Sequence, residues 1–272
     1  MPGLNVISVD TLARLIGTNA APVLIDLREE ATELIPAALP RRAEQMIEWA
    51  GGLSGTSVVV ACEGGGERGA GVAAYLRSEG ISAEMLDGGF AAWRAAGLPL
   101  VDAAKLPKRD EQGRTTWVTR ARPKVDRIAC PWLIRRFIDP RAVFLFVAPA
   151  EVAGVAERFG AAPFDVEGVF WGHRGELCTF DVMVDELGLA GFAGLGRLAA
   201  VVRGADNGTL DLTPQSAGLA AASLGLSRMH NEDQAQLEDG MILYDALYRW
   251  CRDAIEETHD ATSHVPRSRT KA

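Results

Sequence analysis

The fold of the first hundred residues is decided by Ser57-Val-Val-Val-Ala61-Cys62-Glu63-Gly64-Gly65-Gly66-Glu67-Arg68-Gly69. Its opening run is apolar and β-branched, which predicts a buried parallel strand. The glycines and the helix start that follow predict a loop whose backbone N–H groups converge on one point, as in an anion-binding cradle. The predicted anion-binding loop consists of Glu63, Gly64, Gly65, Gly66, Glu67 and Gly69.

Cys62 and Arg68 give this loop its predicted chemistry. A helix N-terminus and a nearby guanidinium both favour the thiolate form of a cysteine, which is the nucleophilic form. We therefore predict that Cys62 and Arg68 are catalytic. The alternative is a buried, inert cysteine beside a flexible turn.

The surrounding sequence alternates between strand-like and helix-like patterns. Pro22–Leu27 is a second buried apolar run. Candidate helices follow at Val9–Ile16, Arg42–Ala50, Gly69–Ser78 and Gly89–Ala96. This order predicts an open α/β fold with a parallel sheet, in which ligands bind beyond the carboxyl ends of the strands.

Three segments together resemble the rhodanese family over residues 5–101. They are Ile25-Asp26-Leu27-Arg28-Glu29, the Cys62 loop, and Asp87-Gly-Gly-Phe-Ala-Ala-Trp-Arg-Ala-Ala-Gly-Leu-Pro99. The resemblance implies a rhodanese-like sheet and a Cys62 that accepts a sulfane sulfur as a persulfide. It also implies that Asp26 and Arg28 support the loop, and we count both among the catalytic residues.

Two segments depart from the rhodanese pattern. Five residues separate Cys62 from Arg68, where sulfur-transferring rhodanese domains usually have four. The longer loop is similar to that of the phosphatases and arsenate reductases built on the same fold, and it suits a tetrahedral oxyanion. In addition, Glu33–Ala38 stands where the family commonly has Gly-His-Ile-Pro-Gly-Ala.

The second half has a different character. We predict a rhodanese-like domain at 1–102, a linker at 103–115, a second domain at 116–258 and a disordered tail at 259–272. Apart from a strand at Val143–Val147, the patterns are mostly helical: a helix starting near Asp126 or Cys130, and helices at Glu151–Phe159, Ala193–Val202, Gln215–Met229 and Asp233–Ile255. The second domain is therefore predicted to be mainly α, within the α+β class.

The string from Thr116 to Pro140 closely resembles the C-terminal domain of the chromate-resistance, ChrB-type family. Further matching stretches are Gly172–Asp181, Arg203-Gly-Ala-Asp206 and Leu243–Cys251. The resemblance implies a role in chromate resistance or chromate-responsive regulation. In the regulators, DNA binding is attributed to an amino-terminal segment that the rhodanese-like domain replaces here.

Two candidate sites follow for the second domain. Cys130, His173, Cys178 and Asp181 are predicted ligands of a divalent metal, with Glu176 as an alternative oxygen donor. Arg127, Arg135, Arg136 and Arg174 are predicted to bind an oxyanion such as chromate. The alternative is that these residues are ordinary core and surface groups.

Composition and charge narrow the function further. Hydrophobic residues make up 48% and charged residues 24%, as in globular proteins, and the 4 cysteines are too few for a disulfide scaffold. No signal peptide or membrane span is evident, so we expect a cytoplasmic protein. Residues 105–136 carry ten basic and three acidic side chains within a chain of net charge −8. Such a band attracts small anions, whereas the acidic remainder disfavours nucleic acid.

The combined prediction is a two-domain protein of oxyanion and sulfur stress. Cys62 attacks a sulfane donor or a bound oxyanion, and a thiol acceptor takes the product. The alternatives are a non-catalytic chromate sensor and a phosphatase-like or arsenate-reductase-like activity. The oligomeric state is left open.

Overall fold

The structure is a computed structural model that describes residues 5–257, so the predicted tail at 259–272 lies outside the described residues. The first half contains these strands and helices: β1 (Val6–Ile7), α1 (Val9–Leu15), β2 (Val23–Asp26), β3 (Glu33–Leu34), β4 (Ala38–Pro40), α2 (Met46–Ala50), β5 (Ser57–Ala61), α3 (Glu67–Ser78), β6 (Ser82–Leu86), α4 (Gly89–Ala95) and β7 (Val101–Asp102).

The main sheet has the strand order β1-β6-β5-β2-β4, and every neighbouring pair is parallel. The predicted open parallel α/β sheet is therefore confirmed. β2 and β5 are central and in register, with Asp26 opposite Ala61. Consequently Leu27 and Cys62 leave the sheet side by side at its carboxyl edge, where the site is built. A short antiparallel pair, β3 with β7, lies apart from this sheet.

The second half is mainly helical, as predicted. Its elements are β8 (Thr116–Arg120), α5 (Asp126–Phe137), β9 (Val143–Val147), α6 (Val152–Phe159), β10 (Ala162–Pro163), α7 (Thr179–Glu186), α8 (Leu195–Asp206), α9 (Ser216–Met229) and α10 (Asp233–Arg249), the last continued by a π-helical turn at Trp250–Ala254. The three strands form a small parallel sheet in the order β10-β8-β9. β8 and α7 were not predicted, because β8 lies within the basic string and α7 directly follows a glycine-rich turn.

One hydrophobic core joins the two halves. It includes Leu12 and Trp93 from the first half and Trp132 and Phe137 from the second, all of them fully buried. Phe137 lies against Gly17, where an added Cβ would meet the ring at 2.2 Å. This cluster buries apolar surface of both halves, whereas a second cluster, which includes Ile25, Val58 and Val60, consists of first-half residues alone.

The segment 103–115, predicted as a linker, lies against the second half. The carboxylate of Asp139, which is fully buried, accepts hydrogen bonds from the amide and the hydroxyl of Thr115 and pairs with Arg109 at 3.1 Å. Lys105 pairs with Glu186 of α7 at 2.7 Å. Among residues 5–257, none of the helices has the length and apolar composition of a membrane span.

Candidate functional site

Cys62 is the first residue after β5 and lies at the floor of an open cavity. The residue is 7% exposed. The cavity has a volume of about 500 Å³, and its wall is formed by Leu27, Arg28, Glu29, Cys62, Glu63, Gly64, Gly66, Glu67 and Arg68. The predicted loop and the predicted cysteine therefore share one cavity at the carboxyl edge of the sheet.

Hydrogen bonds from α4 orient the loop. The amides of Phe90 and Ala91 donate to the carbonyl oxygens of Cys62 and Glu63, both at 2.9 Å. These two loop carbonyl oxygens therefore face α4 and accept hydrogen bonds from its amides. Among the described residues, the amide N–H groups of 63–68 have no acceptor, and Gly66 caps α3 without a side chain. Free donors at a helix N-terminus are what binds an anion.

Two glycines make this close packing feasible. Gly89 has φ +58°, and an added Cβ would lie 2.3 Å from the Cys62 carbonyl oxygen and 2.6 Å from the Gly65 nitrogen. At Gly69 an added Cβ would lie 3.0 Å from the Cys62 sulfur. The absence of side chains at these positions allows α4 and α3 to approach the loop from two sides.

Asp26 and Arg28 lie beside the loop, at the end of β2. The buried Asp26 carboxylate accepts a hydrogen bond from Arg28 Nη2 at 2.6 Å and another from the Arg28 amide at 3.0 Å. The guanidinium lies 3.3 Å from the centre of the Phe90 ring, and Nη1 lies 4.0 Å from Glu63. Arg28 therefore links β2 to α4 and to the loop.

Arg68 lies at the cavity wall, and its guanidinium is paired with two carboxylates. Its Nη2 pairs with Glu29 at 2.9 Å and with Glu44 at 2.8 Å. The wall also carries the carboxylates of Glu63 and Glu67. The cradle thus combines free amides near the sulfur with acidic side chains near its mouth.

The predicted metal ligands of the second half do not come together as expected. Asp181 pairs with Arg203 at 2.7 Å and accepts a hydrogen bond from the Cys178 amide, which fixes it at the start of α7. Cys130 and Cys178 are fully buried. Burial raises the pKa of both thiols, and nearby carboxylates such as Asp126 raise it further. Among the described residues, the group of possible ligands that contains His173 includes none of Cys130, Cys178 and Asp181, so metal binding by the predicted set stays a prediction.

His173 instead faces three carboxylates that the sequence analysis did not single out. Its Nε2 lies 3.2 Å from Asp206 Oδ2, 3.3 Å from Asp165 Oδ1 and 3.7 Å from Asp126 Oδ2. One donor atom from each of the four residues lies within 4.8 Å of the others. We call Asp126, Asp165, His173 and Asp206 the Asp–His cluster.

Two carboxylates of the cluster, those of Asp126 and Asp206, are difficult to ionise. Burial raises the pKa of Asp126 well above its ordinary value, and repulsion by Asp206 and Asp165 raises it further. Burial and repulsion by Asp165 also raise the pKa of Asp206. Packing three acids around one imidazole therefore costs free energy in the absence of a compensating positive charge.

The four predicted oxyanion-binding arginines are separated and paired. Arg127 pairs with Asp165, Arg135 with Glu238, Arg136 with Asp245, and Arg174 with Glu186. Arg127 and Arg136 are nine residues apart on α5 and so project about 180° apart around the helix. Oxyanion binding by these side chains stays a prediction. Carboxylates also pair with Arg109 and Arg120 of the basic band.

The sequence contained partial signals for the Asp–His cluster. Asp206 ends the stretch Arg203-Gly-Ala-Asp206, and Asp126 starts the predicted helix. Asp165 follows β10, a two-residue strand with no alternating pattern to reveal it. The side chains of the cluster are separated by up to 80 residues in the sequence. They come together because α5 packs against α8, and a local sequence pattern does not predict that packing.

The second half of the chain is similar to known proteins. Residues 117–251 match the family described as ChrB, C-terminal domain. The chain is 36% identical over 149 residues to Protein ChrB of Cupriavidus metallidurans. That match covers 54% of this chain and 44% of the relative, so it spans less than half of the relative's length.

Solved structures resemble the first half. A rhodanese-related protein of Thermoplasma volcanium is 22% identical with a TM-score of 0.33, covering 36% of this chain and 97% of that one. A rhodanese-like domain protein of Staphylococcus aureus is 27% identical with a TM-score of 0.30, covering 33% and 91%. Both similarities fall on the part of the chain that forms the parallel sheet.

Proposed function

Since residues 117–251 form a ChrB C-terminal domain, we propose that the protein acts in chromate resistance and that its rhodanese-like half carries sulfane sulfur on Cys62. The observation that supports this most strongly is the position of the Cys62 sulfur, on the floor of the open cavity and beside the unpaired amides of 63–68. The cysteine is accessible to a small donor and is followed by donors that stabilise negative charge.

The proposed reaction needs only a thiolate and a sulfane donor. The Cys62 thiolate attacks the outer sulfur of thiosulfate, a sulfur–sulfur bond forms, and the bond to sulfite breaks. Sulfite leaves with the electron pair, and the loop amides stabilise the persulfide anion that remains. An acceptor thiolate then attacks the outer sulfur, takes it as its own persulfide and restores the Cys62 thiolate.

Two groups position the cysteine in this proposal. Arg28, fixed by the buried Asp26 carboxylate, holds the loop through Phe90 and Glu63. The α4 amides fix the Cys62 and Glu63 carbonyls and so keep the neighbouring N–H groups available. Arg68 serves in the same proposal as a wall residue, tied to Glu29 and Glu44.

A second candidate function is oxyanion binding at the same loop. It is favoured by the five-residue spacing between Cys62 and Arg68, which leaves more unpaired amides than a single sulfur atom uses. A tetrahedral dianion such as chromate or phosphate would occupy these donors without covalent attack. The acidic side chains at the cavity mouth oppose a dianion, so we rank this function second.

Intact mass after exposure of the reduced protein to thiosulfate tests the first proposal. We expect the gain of one sulfur atom in the unaltered protein and no gain in Cys62→Ala. The buried thiols of Cys130, Cys178 and Cys251 serve as internal controls, because they remain present in the variant. Absence of a gain in the unaltered protein, with the Cys62 thiol still alkylated by iodoacetamide, would overturn sulfur transfer from thiosulfate.

A pair of glycine variants separates the loop geometry from the cysteine itself. An added Cβ at Gly65, where φ is +70°, would lie 3.0 Å from the Gly88 nitrogen, whereas one at Gly64 meets nothing within 4 Å. Strain at such a position costs about 1–3 kcal/mol. We therefore expect Gly65→Ala to slow sulfur loading at least tenfold and Gly64→Ala to change it little. Equal loading by both variants would contradict the role of the loop.

A further inference from the structure

We propose that Asp126, Asp165, His173 and Asp206 bind one divalent ion of the first transition series. This site is separate from Cys62 and uses only residues of the second half. Four separate chain segments supply the ligands: the first residue of α5, the second residue after β10, the turn before α7, and the last residue of α8. One imidazole nitrogen and three carboxylates at a common point form a donor set typical of such ions.

The distances within the cluster fit a metal ion. Bonds of about 2.1 Å place neighbouring ligand atoms roughly 3.0–4.2 Å apart. The three oxygens lie 3.2 Å, 3.3 Å and 3.7 Å from His173 Nε2. Only small side-chain movements would therefore bring the four atoms into coordination.

The buried carboxylate of Asp126 supplies the independent evidence for a ligand. Asp126 is fully buried, and its Oδ1 has no hydrogen-bond partner among the described residues. The other oxygen accepts a hydrogen bond from the Phe180 amide at 3.2 Å. A buried carboxylate oxygen left unpaired is costly, and a bound cation would satisfy it.

Hydrogen bonding within the cluster does not account for the arrangement. His173 Nε2 can donate a single hydrogen bond, yet three carboxylates face it. Asp165 has arginine partners, since Arg120 and Arg127 lie 3.2 Å from its Oδ2, and Thr179 donates to its Oδ1. Asp126 and Asp206 accept hydrogen bonds from backbone amides but have no arginine or lysine partner within 4.0 Å in the described residues, so a bound cation would be their counter-ion.

The backbone at the cluster is also unusual. Val125, directly before Asp126, has φ +30°, and Asp165 has φ +51°. Positive φ is uncommon for residues other than glycine and is a strained conformation for valine. The Tyr244 hydroxyl donates to the Val125 carbonyl at 3.0 Å and holds this turn in place. The fold thus maintains positive φ at one ligand, Asp165, and at the residue directly before another, Asp126.

The surroundings determine which ions fit. An imidazole among the ligands favours manganese, iron or zinc over magnesium and calcium, which prefer oxygen alone. Thr179 and the Phe180 amide orient two of the carboxylates from the start of α7. His173 is 41% exposed at its side chain, which leaves a route for the ion to enter.

Titration of the chelator-treated full chain with manganese chloride tests the site. We expect one ion per chain, with affinity at least tenfold weaker in His173→Ala and in Asp206→Asn. His230→Ala is the matched control, since His230 also pairs with a carboxylate, Asp239, at 2.8 Å. Zinc chloride should bind at the same stoichiometry, and magnesium chloride at least tenfold more weakly. Full affinity in both cluster variants, or tightest binding of magnesium, would overturn the proposal.

Asp126→Asn provides a readout that a purely structural role would not give. If the Asp126 carboxylate serves to bind a cation, replacing it with a neutral amide removes a destabilising buried group from the metal-free protein. The melting temperature of the metal-free variant should then equal or exceed that of the unaltered protein, while its increase on addition of manganese disappears. A variant that melts lower without metal and still gains stability from manganese would contradict the assignment.

Discussion

The two halves of the molecule build their candidate sites in opposite ways. The Cys62 loop comes from one continuous segment, residues 62–69, at the end of a central strand. The Asp–His cluster draws its ligands from positions 126, 165, 173 and 206. The first site follows from local sequence order, whereas the second exists only when four chain segments pack together.

The contrast extends to electrostatics. The Cys62 loop presents unpaired N–H groups, which favour negative charge. The Asp–His cluster places three carboxylates around one imidazole and leaves the buried Asp126 Oδ1 without a hydrogen-bond partner among the described residues, which favours a cation. One chain therefore offers a candidate anion-binding loop in its first half and a candidate cation site in its second, joined by a common core.

The largest expected effect concerns that common core. Phe137→Ala removes a fully buried ring that packs against Gly17 of the first half and should lower the free energy of unfolding by about 3–5 kcal/mol. Because the core is shared, tryptophan fluorescence and far-ultraviolet circular dichroism should report one coincident urea transition. The control Phe159→Ala, at a residue 60% exposed, should change stability by less than about 1 kcal/mol. Two separate unfolding transitions in the unaltered protein would show that the two halves unfold independently.

The pH dependence of stability tests the electrostatic difference between the two halves. Burial and repulsion by Asp206 raise the pKa of Asp126 in the folded state. The folded protein therefore binds this proton more readily than the unfolded chain, so stability falls as pH rises through the interval between the unfolded and folded pKa values. The metal-free protein should gain stability on mild acidification from neutral pH.

Urea denaturation at a series of pH values measures this effect. Asp126→Asn should flatten the dependence, whereas Asp211→Asn, at an exposed position, should leave it unchanged. Identical slopes for Asp126→Asn and the unaltered protein would show that Asp126 does not carry the linkage.

A smaller effect is expected at the mouth of the cysteine cavity. Glu67 lies on the cavity wall, where its charge opposes dianionic thiosulfate. Glu67→Gln should speed sulfur loading several-fold at low salt, and the gain should shrink as ionic strength rises. The rate of mass gain measures this effect, and Glu79→Gln, directly after the last residue of α3, is the control. A slower rate in Glu67→Gln would instead assign the carboxylate a positive role in loading.

The smallest effect is expected at Arg174, predicted from sequence as an oxyanion ligand. It forms a partly exposed ion pair with Glu186, and such pairs contribute about 0–1 kcal/mol. Arg174→Ala should therefore change the thermal midpoint little and leave sulfur loading at Cys62 unaltered. A large loss of loading would show that the two sites communicate.

The placement of the predicted residues of the first site follows from local sequence. Cys62 comes directly after the strand Ser57–Ala61, and it lines one cavity together with Gly64, Gly66 and Arg68. The orientation of Arg68 was not predictable, since its partners Glu29 and Glu44 come from other segments.

The second site was only partly predicted for a related reason. His173 was identified as a ligand, but its partners were expected among cysteines close in sequence. Cys178 instead starts α7 in the core, while Asp206 reaches His173 from the end of α8. The helix predicted at Ala193–Val202 ended four residues too early to include Asp206.

Native mass spectrometry of the chain after treatment with both thiosulfate and manganese chloride tests the central claim, that two independent sites of opposite charge preference share one fold. We predict a gain of one sulfur and one metal ion in the unaltered protein. Cys62→Ala should lose only the sulfur, and His173→Ala should lose only the metal. Loss of both gains in either single variant, with the protein still folded, or absence of both in the unaltered protein, would contradict the account.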